Sequence, residues 1–303
     1  MRTAYLWTGA ASPACQRVAR LQPTTDSLPR WSDTLVPVSI RRTLKSFLSV
    51  LFLFASAISL RGQQVDEPVA NPGRPTVSTP AKITPVGYLQ LETGVLAATR
   101  SLEFSSRSSL NEAIKFSVAT RLELIAVLEP LVHYRAGDRA ANGSAEIFCG
   151  AQAILSKGEG RRPTVAASYF RRVYDGGAPE LDLGSPRNSL VLLASADTKG
   201  FHYDANGMLN EIVEGTAHRA QFGQTLSVSH SLGKGFTLSG EIWHFSQPFL
   251  HGHAMGNLWA LAYTTRKNLV LDAGFNRGLT VTSTRWEIFA GFTYLFPRRI
   301  RHL

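Results

Sequence analysis

The chain has 303 residues, 44% of them hydrophobic and 18% charged, enough apolar material for a packed core and against global disorder. Mean hydropathy is -0.04, and the longest apolar run is about fourteen residues where a spanning helix needs roughly 20, which excludes a polytopic helical membrane protein. Two cysteines, Cys15 and Cys149, exclude a disulfide scaffold and a Cys-rich zinc site.

The net charge of +10 is unevenly placed. Residues 1–62 carry eight Arg/Lys against two acids, and the tail after Phe296 adds Arg298, Arg299 and Arg301, leaving only +1 on residues 63–297. A nucleic-acid-binding domain shows a basic stripe on its folded body. This chain has none, so nucleic acid is not an expected partner.

Residues 41–62 read as a signal peptide. A basic Arg41–Lys45 stretch precedes an apolar run from Phe47 to Leu60, with small residues placing cleavage between Ala57 and Gln64. Residues 1–40 read as a non-structural upstream extension, with translation starting near Val36 or Val38. Residues 63–85 contain five prolines and no periodicity, the pattern of an exposed linker or periplasmic lead-in.

From Val86 onward the pattern is alternation. Leu89, Leu91 and Val95 oppose Gln90 and Glu92. Leu122, Leu124 and Leu128 oppose Arg121 and Glu123. Ala145, Ile147, Cys149, Ala151 and Leu155 oppose Glu146 and Gln152. The same period returns at Leu190–Asp197, Phe201–Asn206, Gln221–Ser229, Phe236–Ile242, Leu269–Asn276 and Arg285–Phe296. In the run around Leu258, Ala260 and Ala262 the apolar face is blurred by Trp259 and Leu261. With weaker runs at 110–118 and 163–173 the count is twelve, separated by Gly, Asn, Asp and Pro clusters.

Twelve is even, and the span fits strands of ~9–11 residues. The predicted fold is an all-β, closed antiparallel transmembrane barrel of outer-membrane type over 86–297, followed by a basic tail at 298–303. Aromatics at strand ends (Tyr88, Tyr134, Phe201, Tyr203, Phe236, Trp286, Tyr294 and Phe296) suit interfacial girdles. In lipid, closure is what leaves no sheet edge unpaired.

Gly87–Gly94 (GYLQLETG), Arg121–Ile125 (RLELI), Gly143–Ala153 (GSAEIFCGAQA) and Ala290–Phe296 (AGFTYLF), in that order, resemble the outer-membrane transporter family named for the MetA pathway of phenol degradation. The resemblance covers residues 74–297. It implies a cell outer-membrane barrel, delivered by the barrel-assembly machinery and giving passive passage to small solutes, aromatic ones among them. It supplies no catalytic residue. One departure is the run Pro297–Leu303 after Phe296, since such barrels usually end on an aromatic.

Eight acids fall on the polar parity and are the candidate lumen residues: Glu92, Glu123, Glu146, Asp197, Asp204, Glu241, Asp272 and Glu287. Arg121 and Arg285 are candidate lumen cations, with Lys115 and Arg172 as further partners. Such acids either set a mild cation preference or stiffen the wall through pairing. His244, His251 and His253 lack a fourth ligand and second shell for a metal, and no cofactor is expected. GEGRR at 158–162 and GKG at 233–235 lack the phosphate-loop frame and read as turns. Ser229 and His230 fall on opposite faces, against an outer-membrane hydrolase. A secreted or structural soluble barrel is the other reading, distinguished by which way the apolar parity faces.

Overall fold

The computed structural model describes residues 68–159, 162–181 and 186–300. The expected upstream extension, the signal peptide with its cleavage site, and residues 301–303 of the tail lie outside the described residues. Thirteen strands follow in chain order: β1 (Leu89–Thr99), β2 (Ser106–Ala119), β3 (Leu122–Ala136), β4 (Arg139–Gly143), β5 (Ile147–Ser156), β6 (Thr164–Tyr174) and β7 (Pro186–Thr198). The remainder are β8 (Phe201–Glu214), β9 (Ala217–Gly233), β10 (Phe236–Gln247), β11 (Gly252–Arg266), β12 (Leu269–Gly278) and β13 (Trp286–Leu295).

Every pairing is antiparallel, and β1 pairs with both β2 and β13. The β2–β3 pairing closes the sheet, while β4 pairs only with the end of β3. The result is a closed barrel of twelve strands. Residues 135–143, one of the Gly- and Asp-bearing clusters expected to separate strands, instead form the tip of a β3–β4 hairpin.

The two ends differ in the way porin-type barrels differ. At the end carrying the chain termini, two-residue turns at 120–121, 199–200, 234–235 and 267–268 join strands. Lys199-Gly200 and Lys234-Gly235 have positive φ at both positions (51° and 81°, 51° and 83°), the geometry that matches the twist of a tight hairpin. GKG is therefore a turn. At the far end three connections lengthen to 100–105, 175–185 and 279–285, with β8 and β9 joined there by the short turn 215–216, while β5 and β6 are joined at the terminal end through 157–163.

Alternation sets the faces. Val95, Leu192, Phe222, Ile242, Leu271 and Ile288 point outward and are exposed, Ile288 to 64%. Their strand neighbours Glu92, Val191, Gln221, Glu241, Asp272 and Glu287 point inward and are buried. This apolar outer surface with a polar interior is the reverse of a soluble barrel. Cys149 is outward and exposed, as expected. Near the far rim the apolar band ends on a polar row: Tyr169 Oη lies 2.7 Å from Asn188 Oδ1, Asn188 Nδ2 bonds Glu211, and His218 Nδ1 lies 2.7 Å from Glu211 Oε1.

Several details of the expected faces are corrected. On β11 the inward residues are Leu258 and Ala260, both 3% exposed, while Trp259 and Leu261 face out. A strand with apolar residues on both faces carries no parity signal, so only packing decides. On β3, Pro130 coincides with a register shift against β2. Parity flips there, leaving Leu131 exposed and Val132 buried. Proline has no N–H for the ladder and is tolerated at such a bulge. Tyr134 therefore packs with Val132, Ala145 and Ala178 rather than in a girdle, and Ala145 is buried rather than outward. Tyr88 packs against Ala70, Val270 and Leu295.

Candidate lumen site

The Pro-rich segment from Ala70 to Pro85 is not an exposed lead-in. It runs inside the barrel at the terminal end. Proline spacing forbids a helix and a ladder, so each buried N–H needs another acceptor. Inward side chains of the wall supply them.

Asn71 N–H donates to Gln90 Oε1 at 2.9 Å, and Gln90 Nε2 donates back to Asn71 C=O at 2.7 Å. Gly73 N–H reaches Glu92 Oε1 at 3.0 Å. Val77 N–H, Ser78 N–H and Ser78 Oγ all donate to Glu241, at 2.7, 2.7 and 2.6 Å. Asn206 clamps Thr79 through both peptide groups, at 2.6 and 2.9 Å. Ala81 N–H donates to Ser195 Oγ at 2.7 Å, and Gln152 Nε2 to Pro80 C=O at 3.0 Å. Thr84 donates to Glu123 Oε1 from N–H at 2.8 Å and from Oγ1 at 2.6 Å. Along the segment the partners lie on β1, β10, β8, β5, β7 and β3, so it follows the inner wall around much of its circumference.

The contact is tight. Ser78 and Ala81 are fully buried and Thr84 is 1% exposed. Ala81 also packs on Ala166, Val191 and Leu193, and Val77 lies against the cluster of Trp243, Phe245 and Ala254. Leaving one such buried donor or acceptor without a partner costs about 1–3 kcal/mol, so the wall and the segment specify each other.

Cations complete the network. Arg74 pairs with Asp272 through Nε at 3.3 Å and Nη2 at 3.1 Å. Lys115 Nζ lies 2.5 Å from Glu92. Lys82 pairs with Asp197 at 3.2 Å at the more exposed margin. His202 bridges Asp197 and Asp204 at 2.6 and 3.2 Å, and Asp204 accepts from Ser195 Oγ at 2.5 Å.

Of the expected lumen acids, Glu92, Glu123, Asp204, Glu241, Asp272 and Glu287 are inward and buried. Glu92, Glu123, Glu241 and Asp272 hold the segment directly, rather than facing open water. Asp197 lies at the strand end and is exposed, and Glu146 is half-buried in the coil before β5. Two assignments are corrected: Arg121 sits exposed in the β2–β3 turn and Arg285 exposed just before β13, at opposite ends of the barrel. Strand-end residues escape the alternation that would turn them inward. Arg172 pairs with Asp175 at 3.5 Å.

Sequence reasoning missed Arg74 and Arg107. Arg107, nearly buried, bonds Glu129, Ser109 Oγ at 3.0 Å and Pro179 C=O at 3.1 Å in the far half. Its inward parity with Ser109 and Asn111 was the available signal. Trp243 and Phe245 were missed too; they face inward at 2% exposure, Trp243 Nε1 donating to Asn276 Oδ1 at 2.8 Å. His244 and His253 stack on the outer face, 3.0 Å apart through Nε2 and Nδ1. Among the described residues no three His, Cys, Asp or Glu side chains come within reach of one metal ion.

No family model matches the chain, and no curated protein matches it in sequence. Solved structures match in shape. The COG4313 outer membrane channel from Pseudomonas putida F1 superposes with a TM-score of 0.52 at 13% identity, over 71% of this chain and 98% of that one. This is the fold of an outer-membrane barrel channel. The KdgM porin in complex with disordered oligogalacturonate aligns at a TM-score of 0.46 and 12% identity, over 69% of this chain and 99% of that one.

Proposed function

We propose that the protein is a passive channel of the bacterial outer membrane for small solutes, aromatic ones among them, of the kind that the resemblance to the MetA-pathway family implies. The observation that carries this reading is the pairing of an apolar outer face with a polar, charged inner one around a closed sheet. Lipid outside and polar groups that find partners inside make that arrangement favourable. The short-turn end, with both ends of the barrel chain, is the periplasmic one, and export follows from the signal peptide. The Trp243–Phe245 patch beside Asn276 is covered by Val77 of the segment, and once the segment shifts it offers an apolar and a hydrogen-bonding surface, which suits small aromatic compounds carrying a hydroxyl. Passage requires the Ala70–Pro85 segment to shift, because its buried contacts occupy the wall of the terminal half.

A hydrolase is not supported by the same geometry. Ser227 is buried inside, whereas His230 faces out, its ring 4.6 Å from that of Phe201. Refolded protein in a planar bilayer tests the channel reading. Discrete conductance steps, reduced by phenolic solutes added to one side, are expected. A barrel that inserts yet never conducts, with or without the segment, would overturn it.

A further inference from the structure

The surroundings of Arg74 have the shape of a receptor. Its guanidinium edge meets the Asp272 carboxylate through two parallel N–H···O contacts, the bidentate arrangement that a planar guanidinium makes and an ammonium does not. One face of the guanidinium lies over Gly94 and Gly291, which are direct partners across the β1–β13 pairing. A Cβ on Gly291 would stand 2.9 Å from Arg74 Nε, and one on Gly94 would overlap Nη2. The two glycines thus leave a flat slot that any other residue would fill. The Phe289 ring stands 6.0 Å from Arg74 Cζ as an aromatic wall.

The slot belongs to β1, β12 and β13, each hydrogen-bonded on both sides within the closed sheet. Its occupant belongs to a segment attached to the wall mostly through side chains. The Asp272 side chain is 2% exposed and that of Arg74 is 19% exposed. If Arg74 leaves, the slot persists as a buried carboxylate without a partner, a costly state that a cation of the right shape relieves. Lys115 on Glu92 shows the contrast: an ammonium point charge on an acid, without the two-pronged planar contact.

We propose that the Asp272–Gly94–Gly291–Phe289 slot is a guanidinium-binding site that Arg74 occupies in cis, and that guanidinium-bearing solutes compete with it. Competition would loosen the segment, a consequence that rests on the channel reading; binding itself does not.

The test is chemical complementation of the full-length refolded barrel carrying Arg74→Ala, followed by thermal unfolding with methylguanidinium or methylammonium at millimolar concentrations. A ligand that binds only the folded state raises the midpoint in a saturable way. Methylguanidinium should do so at roughly tenfold lower concentration than methylammonium, the difference that one additional charge-assisted hydrogen bond makes. Arg74→Ala/Asp272→Asn should lose the shift, and Arg74→Ala/Gly94→Ala, whose added Cβ meets the space that Arg74 vacates, should lose it with Asp272 intact. Should Arg74→Ala fold only when methylguanidinium is present, the proposal is supported. Failure to fold with either cation, equal shifts from both, or a shift surviving in either double variant overturns it. Because the readout is stability, a silent bilayer experiment leaves this result readable.

Discussion

Ser78 donates twice to Glu241 Oε1, from its N–H at 2.7 Å and its Oγ at 2.6 Å, while the same Oγ lies 2.7 Å from Thr225 Oγ1 on the neighbouring strand. A residue of a segment without regular structure is thereby fixed to β9 and β10 at once. With Val77 N–H on Oε2, one carboxylate serves three donors that proline-rich chain could not satisfy by itself.

Glu241→Ala should therefore act on the segment before it acts on the barrel. Three donors lose their acceptor, each worth about 1–3 kcal/mol if it stays buried, and relaxation of the segment is the cheaper outcome. Limited proteolysis should show new cleavage between Pro72 and Pro85, with the barrel still resistant. An unchanged digest would mean that Glu241 does not hold the segment.

Leu192→Arg and Leu271→Arg place a charge on the outer face near mid-strand, where such changes cost up to ~2–4 kcal/mol at the bilayer midplane. Asp272→Asn, inside, should leave the barrel folded but release Arg74. Urea unfolding in lipid vesicles separates the three, and equal midpoints would contradict the assignment of faces.

The inward acids couple charge to closure. Neutralising Glu241 and Asp272 together removes two lumen charges and the acceptors for Val77, Ser78 and Arg74. Conductance should rise while cation preference falls, most visibly at 0.01 M salt where the Debye length is ~30 Å. Glu146→Gln alone, in the coil before β5, should change neither. Reversal potentials and single-channel currents of the two variants provide the comparison; a double variant indistinguishable from the parent protein would return these acids to a purely structural role.

The tail after Phe296 is engaged rather than loose. Ile300 N–H donates to Gly87 C=O at 2.8 Å and Arg299 Nε to Val86 C=O at 3.1 Å, next to the start of β1. A chain ending at Pro297 should fold but show a lower thermal midpoint by heat-dependent gel mobility, because the strand that leads out of the segment loses these bonds. An unaltered midpoint would make the contacts incidental.

Much of the barrel was legible because its side chains repeat every two residues and one face is apolar. Leu89 to Glu92, Leu190 to Asp197 and Leu269 to Asn276 needed nothing more. Leu258–Leu261 failed because both faces are apolar, and Tyr134 failed because the bulge at Pro130 is a single added residue that reverses parity. The site was legible only by halves. Inward acids could be picked out by alternation, but what they bind could not, since Asn71, Ser78 and Thr84 carry no periodicity and their partners lie up to 163 positions away along the chain. Composition marked the segment as unstructured; proline instead makes it a chain that depends on the wall for every buried donor.

The displacement of this segment is the central claim, and a cross-link tests it most directly. In a Cys149→Ser background, Ser78→Cys with Thr225→Cys places two thiols where hydroxyl oxygens now stand 2.7 Å apart, so that oxidation ties the segment to β9 and reduction frees it. Single-channel recording should show low conductance in the oxidised protein and larger steps after reductant is added to the same bilayer. Equal conductance in the two states, with the cross-link verified by mass, would contradict it.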